Sequence, residues 1–162
     1  MNKRLLVWLM ILIGVIIVVL LFTRSKPSDQ PITQEPGMPK IVVLDQNVMS
    51  DVESFQTLIL DDQQAYQDFV KMHQLIIDPP VDLRERTVIA VFMGMRPTGG
   101  YSVEITDTEE KDGQLLVYVS LKSPGENCIN IQAFTYPYQI VSIKKTNLPI
   151  EIVTESIVVD CP

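Results

Sequence analysis

The sequence contains one histidine, His73, and two cysteines, Cys128 and Cys161. Proton transfer and nucleophilic attack need a base placed beside a nucleophile. His73 sits beside Val70 and Met72 in a stretch with helical apolar spacing, which reads as a surface or core-edge histidine rather than a base. The cysteines show no C-x-x-C and no other metal-ligand spacing. Outside the cytoplasm such a pair can form a disulfide. The bond would close 34 residues and contribute about 4 kcal/mol on the chain-entropy model. The alternative is a buried thiol at 128 and a thiol on a frayed tail at 161. Acidic residues are numerous, but Asp107, Glu109, Glu110 and Asp112 fall in what reads as a turn. Asp45, Asp51 and Glu53 lack the ligand series and central glycine of an EF-hand. No catalytic residue, metal or cofactor is expected.

Two clusters suit contact better than chemistry. Gly94-Met95-Arg96-Pro97-Thr98-Gly99-Gly100-Tyr101 places three glycines and a proline between two strong strand patterns. Glycine permits positive φ or close backbone approach, and proline fixes one torsion. Such a loop can hold a defined shape while presenting Met95, Arg96 and Thr98. The plainer reading is a stiff sheet connection. It is not a phosphate loop, because no Gly-Lys-Ser/Thr and no following helix are present. In the second cluster, Thr135-Tyr136-Pro137-Tyr138, Tyr136 and Tyr138 flank a strand-breaking proline. Tyrosines there can serve an interface or pack a corner.

The elements that must position these residues begin with an anchor. Leu5–Phe22 is an 18-residue run without a charge, about 27 Å long as a helix and close to the thickness of a thin bilayer. It exceeds the usual apolar region of a signal peptide and lacks a small-residue cleavage site. Lys3 and Arg4 precede it, and Arg24 and Lys26 follow, so positive charge alone barely orients it. The four-residue head at 1–4 cannot form a domain, which favours an N-in anchor at 5–22 with the rest of the chain outside. Pro27, Pro31, Pro36 and Pro39 make 23–39 an extended linker. Residues 40–162 then form one extracytoplasmic domain.

Within that domain, Ile41–Leu44 and Ser54–Leu60 read as strands. Asp61–Ile76 carries helical periodicity at Ala65, Phe69, Met72 and Ile76, with Asp61 and Gln64 as a capping pair and a stop at Asp78-Pro79-Pro80. Strand patterns follow at Thr87–Met93, Gly100–Thr106, Leu115–Leu121, Cys128–Phe134 and Tyr138–Lys144, and in Pro149–Val159. Asp112-Gly113 signals a tight hairpin. The expected fold is α+β: a mainly antiparallel sheet or small immunoglobulin-like sandwich with one amphipathic helix. A helix after every strand, as in parallel βαβ folds, is absent.

Charge narrows the partners. Residues 27–162 hold 9 of the 13 Lys+Arg (all but Lys3, Arg4, Arg24 and Lys26) and all 20 Asp+Glu, a formal charge of −11. Nucleic acid is excluded as an expected partner, since phosphate contacts supply much of that affinity. A cationic protein surface or peptide suits this charge better.

The stretch VIAVFMGMRPTGGYSVEI, then LVYVSLKSPGENC, then QAFTYPYQIVSIKK, resembles the C-terminal domain of the PrcB family, named for a subunit of a surface protease complex. The resemblance covers about 87–145. It rests on Gly94, Pro97-Thr98-Gly99-Gly100-Tyr101, Ser123-Pro124-Gly125 and Pro137-Tyr138. It implies an accessory role without catalysis, and it makes an extracytoplasmic protease a partner class. This chain departs from the family's lipoprotein pattern by using a helical anchor. Pro97–Tyr101 is also similar to the Pro-Thr-Thr-Gly loop of chagasin-like peptidase inhibitors, which have an immunoglobulin-like fold, without a match to their other inhibitory loops. Three functions follow as expectations: an accessory or protein-binding module, a direct peptidase inhibitor acting through 94–101, or a small-ligand or cell-wall-binding domain.

Overall fold

The structure, a computed structural model, describes residues 40–161. The expected head at 1–4, anchor at 5–22 and linker at 23–39 lie outside the described residues. Among the described residues no helix is long and apolar enough to cross a membrane.

The elements run β1 (Ile41–Asn47), β2 (Gln56–Leu60), α1 (Gln63–Met72), β3 (Arg86–Phe92), β4 (Ser102–Lys111), β5 (Gln114–Pro124), β6 (Tyr138–Lys144) and β7 (Ile150–Val159). They form a four-stranded sheet in the order β1-β6-β3-β2 and a three-stranded sheet in the order β4-β5-β7. The α+β class and the predominance of antiparallel pairs agree with the sequence. One pairing does not: β7 lies parallel to β5 over ten residue pairs, from Leu115↔Ile150 to Pro124↔Val159. Antiparallel neighbours commonly come from hairpins. Here β7 enters after β6, which belongs to the other sheet, so no hairpin dictates its direction.

The four-stranded sheet is covered on both faces. On one face, Ile89, Val91, Met93, Val141 and Ile143 pack against Val103, Ile105, Leu115, Val117 and Val119 of the second sheet. On the other, Leu60, Val88, Ala90, Phe92 and Ile140 pack under Leu83 and the helical Tyr66 and Phe69. This double burial explains the unbroken apolar run in β3, every residue of which is buried. Each such aliphatic side chain contributes roughly 1.5–3 kcal/mol on leaving water. In β4 only alternate residues face inward, and a bulge between Ile105 and Asp107 shifts the phase, so that Thr108 is buried next. The hairpin turn at Asp112-Gly113 is formed, with φ of 51° and 80°.

Two local expectations are corrected. The helix is shorter than 61–76. Its N-cap is Asp62, whose carboxylate accepts from the Ala65 N–H at 2.9 Å. It ends at Met72, well before Asp78, because the chain supplies its own stop. Gln74 takes φ 51°, its N–H donates to the Lys71 carbonyl, and the Leu75 N–H donates to the Val70 carbonyl. The strand expected at Cys128–Phe134 does not form. The Cys128 N–H closes a turn onto the Gly125 carbonyl at 3.1 Å. Cys128 is bonded to Cys161, which holds the segment against the end of β7 rather than in a ladder.

Candidate functional site

The glycine loop leaves β3 at one end of the sandwich, and its shape follows from backbone contacts. Gly94 has φ +79°, and a Cβ there would stand 2.8–2.9 Å from the backbone of residues 53–55. Only glycine permits that approach. The Met95 N–H donates to the Glu53 carbonyl at 2.9 Å. Arg96 and Thr135 exchange two backbone hydrogen bonds, at 2.7 and 3.0 Å. The Gly99 N–H donates to the Ile131 carbonyl, and the Thr135 hydroxyl donates to the Thr98 carbonyl. Gly100, with φ +84°, lies against Pro124 and the Asn130 side chain. Gly94, Pro97–Tyr101, Pro124-Gly125 and Pro137, separate in sequence, are thereby assembled at one end of the molecule. Pro137 joins them by accepting from the Met93 N–H at 2.8 Å.

The facing loop, 125–137, is pinned independently. The Cys128–Cys161 disulfide ties it to the segment after β7. The Gly125 N–H donates to the Val159 carbonyl, and the Tyr136 N–H donates to the Val48 carbonyl. The disulfide among the two sequence alternatives is thus the one present, and both sulfurs are unavailable as nucleophiles or metal ligands.

The expected contact residues separate into two groups. Met95 is 48% exposed and Pro97 is exposed. Arg96 is a brace: its Nη2 donates to the Met93 carbonyl at 2.8 Å, and its guanidinium lies over the Tyr101 ring, 5.9 Å from the centroid. Its Nε is buried without a partner among the described residues. Thr98 and Tyr101 are half-buried, and Gly99 is buried beneath Ile131. Tyr136 is half-buried. Tyr138 belongs to the core, not to the surface. It is 7% exposed, stacks on Phe92, and donates its hydroxyl to Asp45 at 2.7 Å. Burial, reinforced by Asp45, holds its phenol well above the usual range.

The sequence reading missed three side chains at this end. Ile129 is fully exposed, Ile131 is 67% exposed and Phe134 is 60% exposed. Ile129 and Ile131, alternating with Asn130 and Gln132, imitated a strand, while Phe134 falls out of that phase. The signal that identifies them as loop residues is the flanking Gly125 turn and the cysteine.

The remaining chemistry-bearing groups are structurally committed. His73 packs against Phe69 and Phe92, and its Nδ1 lies 2.6 Å from the Asp51 carboxylate. Asp45 serves Tyr138 and Asp51 serves His73, so they do not converge with Glu53 as calcium ligands. Among the described residues no group of three His, Cys, Asp or Glu side chains could hold a metal ion.

No curated protein and no solved structure matches this chain. Residues 87–144, which run from β3 through β6 and carry both pinned loops, match the family model described as PrcB C-terminal.

Proposed function

We propose that this chain is a membrane-anchored, extracytoplasmic accessory module without catalytic activity of its own, and that it binds a protein of the cell envelope, with a protease as the partner class. The observation that carries this reading is the paired-loop end. Met95, Ile129, Ile131 and Phe134 are exposed apolar side chains on loops fixed by backbone hydrogen bonds and a disulfide. A preformed apolar contact surface loses little conformational entropy on binding. The PrcB C-terminal match over the same segment supports an accessory role. The uncharged run at 5–22 supports the anchor and the placement of the domain outside the cytoplasm.

The test is affinity capture from detergent-solubilised source membranes with the full chain as bait. A triple variant, M95S/I131S/F134S, is the control, since its side chains lie outside the core. The expected result is an envelope protein retained by the wild type and lost by the variant. Equal retention by both would remove the loop end as the contact. A captured peptidase is then assayed with increasing amounts of the module. Retained turnover marks an accessory subunit, and stoichiometric loss marks an inhibitor.

A further inference from the structure

A sheet edge offers unpaired N–H and C=O groups, and proteins protect edges with bulges, short strands, prolines or lysines. Three of the four edges here are protected. β1 has a bulge between Val43 and Asp45. β2 is five residues long and runs directly into α1. β4 has a bulge between Ile105 and Asp107 and ends in Lys111. β7 is ten residues long and has no bulge, and the only charges it carries are those of Glu151 and Glu155. Its sequence, IEIVTESIVV, contains no proline and no lysine, and its pairing with β5 is unbroken over ten positions. Among the described residues, no strand occupies its outer edge.

The unused groups can be assigned. The Pro149 and Val159 carbonyls both accept from the β5 side. With an unshifted parallel register, odd-numbered residues of β7 therefore bond to β5. Ile150, Ile152, Thr154, Ser156 and Val158 consequently turn their N–H and C=O outward. On the solvent face, Glu151 and Glu155 alternate with Val153 and then Ile157 and Val159. Neither glutamate has a basic partner among the described residues. Lys122, on the neighbouring strand, is paired with Glu104 instead.

We propose that β7 is a strand-addition site, and that its occupant is an extended segment of the protein partner alternating Lys or Arg with apolar residues. The proposal rests on the protein-binding reading above and specifies how the partner is held. Backbone groups of the added strand would complete the ladder, its cations would lie on the face of Glu151 and Glu155, and its apolar residues, on the opposite face of the pleat, would extend the row of Ile150, Ile152 and Val158. A second copy of this chain fits poorly. β7 carries no cation, so self-pairing gathers four glutamates on one face of the joined sheet.

The test uses the full chain in detergent micelles and fluorescent ten-residue peptides with blocked ends. One peptide alternates Lys with Val, one replaces Lys by Glu, and one is the Lys peptide N-methylated at alternate amides. The Lys peptide is expected to bind saturably, with slowed amide exchange confined to β7. The Glu and N-methylated peptides are each expected to bind about tenfold or more weakly. E151K/E155K should reverse the preference between the Lys and Glu peptides. Ser156→Pro removes an outward N–H without removing a β5 bond, so it should abolish binding at an unchanged Tm. Absence of saturable binding, or binding indifferent to N-methylation and to Ser156→Pro, would overturn the proposal. So would a β7-dependent dimer in light scattering. If membrane capture of the partner is unaffected by Ser156→Pro, the edge proposal fails while the protein-binding reading stands.

Discussion

At Gly94, positive φ and a backbone 2.8–2.9 Å from any added Cβ act together, whereas Gly113 has φ +80° and open space around it. Gly113→Ala should therefore cost about 1–2 kcal/mol, the left-handed penalty alone. Gly94→Ala should cost more, on the order of 3 kcal/mol or above, because the 53–55 backbone must also shift. Urea unfolding of both variants checks the ranking. Tyr138 gives a second prediction. Its buried hydroxyl donates to Asp45, so Tyr138→Phe should destabilise the fold by about 1–2 kcal/mol near neutral pH. Its folded-state pKa is raised, by burial first and then by Asp45. The unfolded phenol ionises near pH ~10. The neutral phenol's contribution is thus complete below that pH and is lost as pH rises above it. Tyr66 and Tyr118 are shifted in the same direction, so Tyr138→Phe should flatten the alkaline loss of stability without removing it. A pH series of urea midpoints from 8 to about 11 measures this.

At the scale of the element, the helix is defined by its ends. Asp62 satisfies the Ala65 N–H, and Asp62→Ala should cost about 1 kcal/mol. Gln74 occupies the left-handed position after the helix, where glycine is the usual residue. Gln74→Gly should stabilise by a few tenths to about 1 kcal/mol. Opposite shifts of the two denaturation midpoints are expected. Residues 61–62 show how far local reasoning reaches. The need for an acidic cap was legible, but Asp61 and Asp62 are equivalent on paper, and which one caps depends on how the chain leaves β2. The early stop was not legible, because Gln74 carries no mark of its left-handed conformation.

At the scale of the whole molecule, the Cys128–Cys161 bond joins the facing loop to the segment after β7. It closes the chain across β6 and β7, and so across both sheets. Replacing both cysteines by serine should cost about 2–5 kcal/mol. The loss should appear first as faster amide exchange at Gly99 and Cys128, whose N–H groups bond within this end. Exchange in β3 and β6, which are buried on both faces, should remain slow until global unfolding. Native protein should give no thiol labelling before reduction, since neither cysteine is free. Uniform acceleration across the whole domain would mean that the disulfide stabilises the fold globally and not this end in particular.

Several features follow from local chemistry. These are the amphipathic helix, the Asp112-Gly113 hairpin, the apolar strands β3 and β6, and a glycine loop that must bend sharply after β3. Each depends on side-chain period or on a single residue's torsional freedom, and both are written in adjacent letters. The other features come from long-range packing. The parallel setting of β7, the burial of Tyr138 and the exposure of Ile129, Ile131 and Phe134 depend on partners dozens of residues away. An alternating pattern such as Cys128–Phe134 shows which faces a strand would have, but not whether a neighbouring strand is there to pair with it. Here a disulfide and a turn took that segment out of the sheet and made it one wall of the contact end.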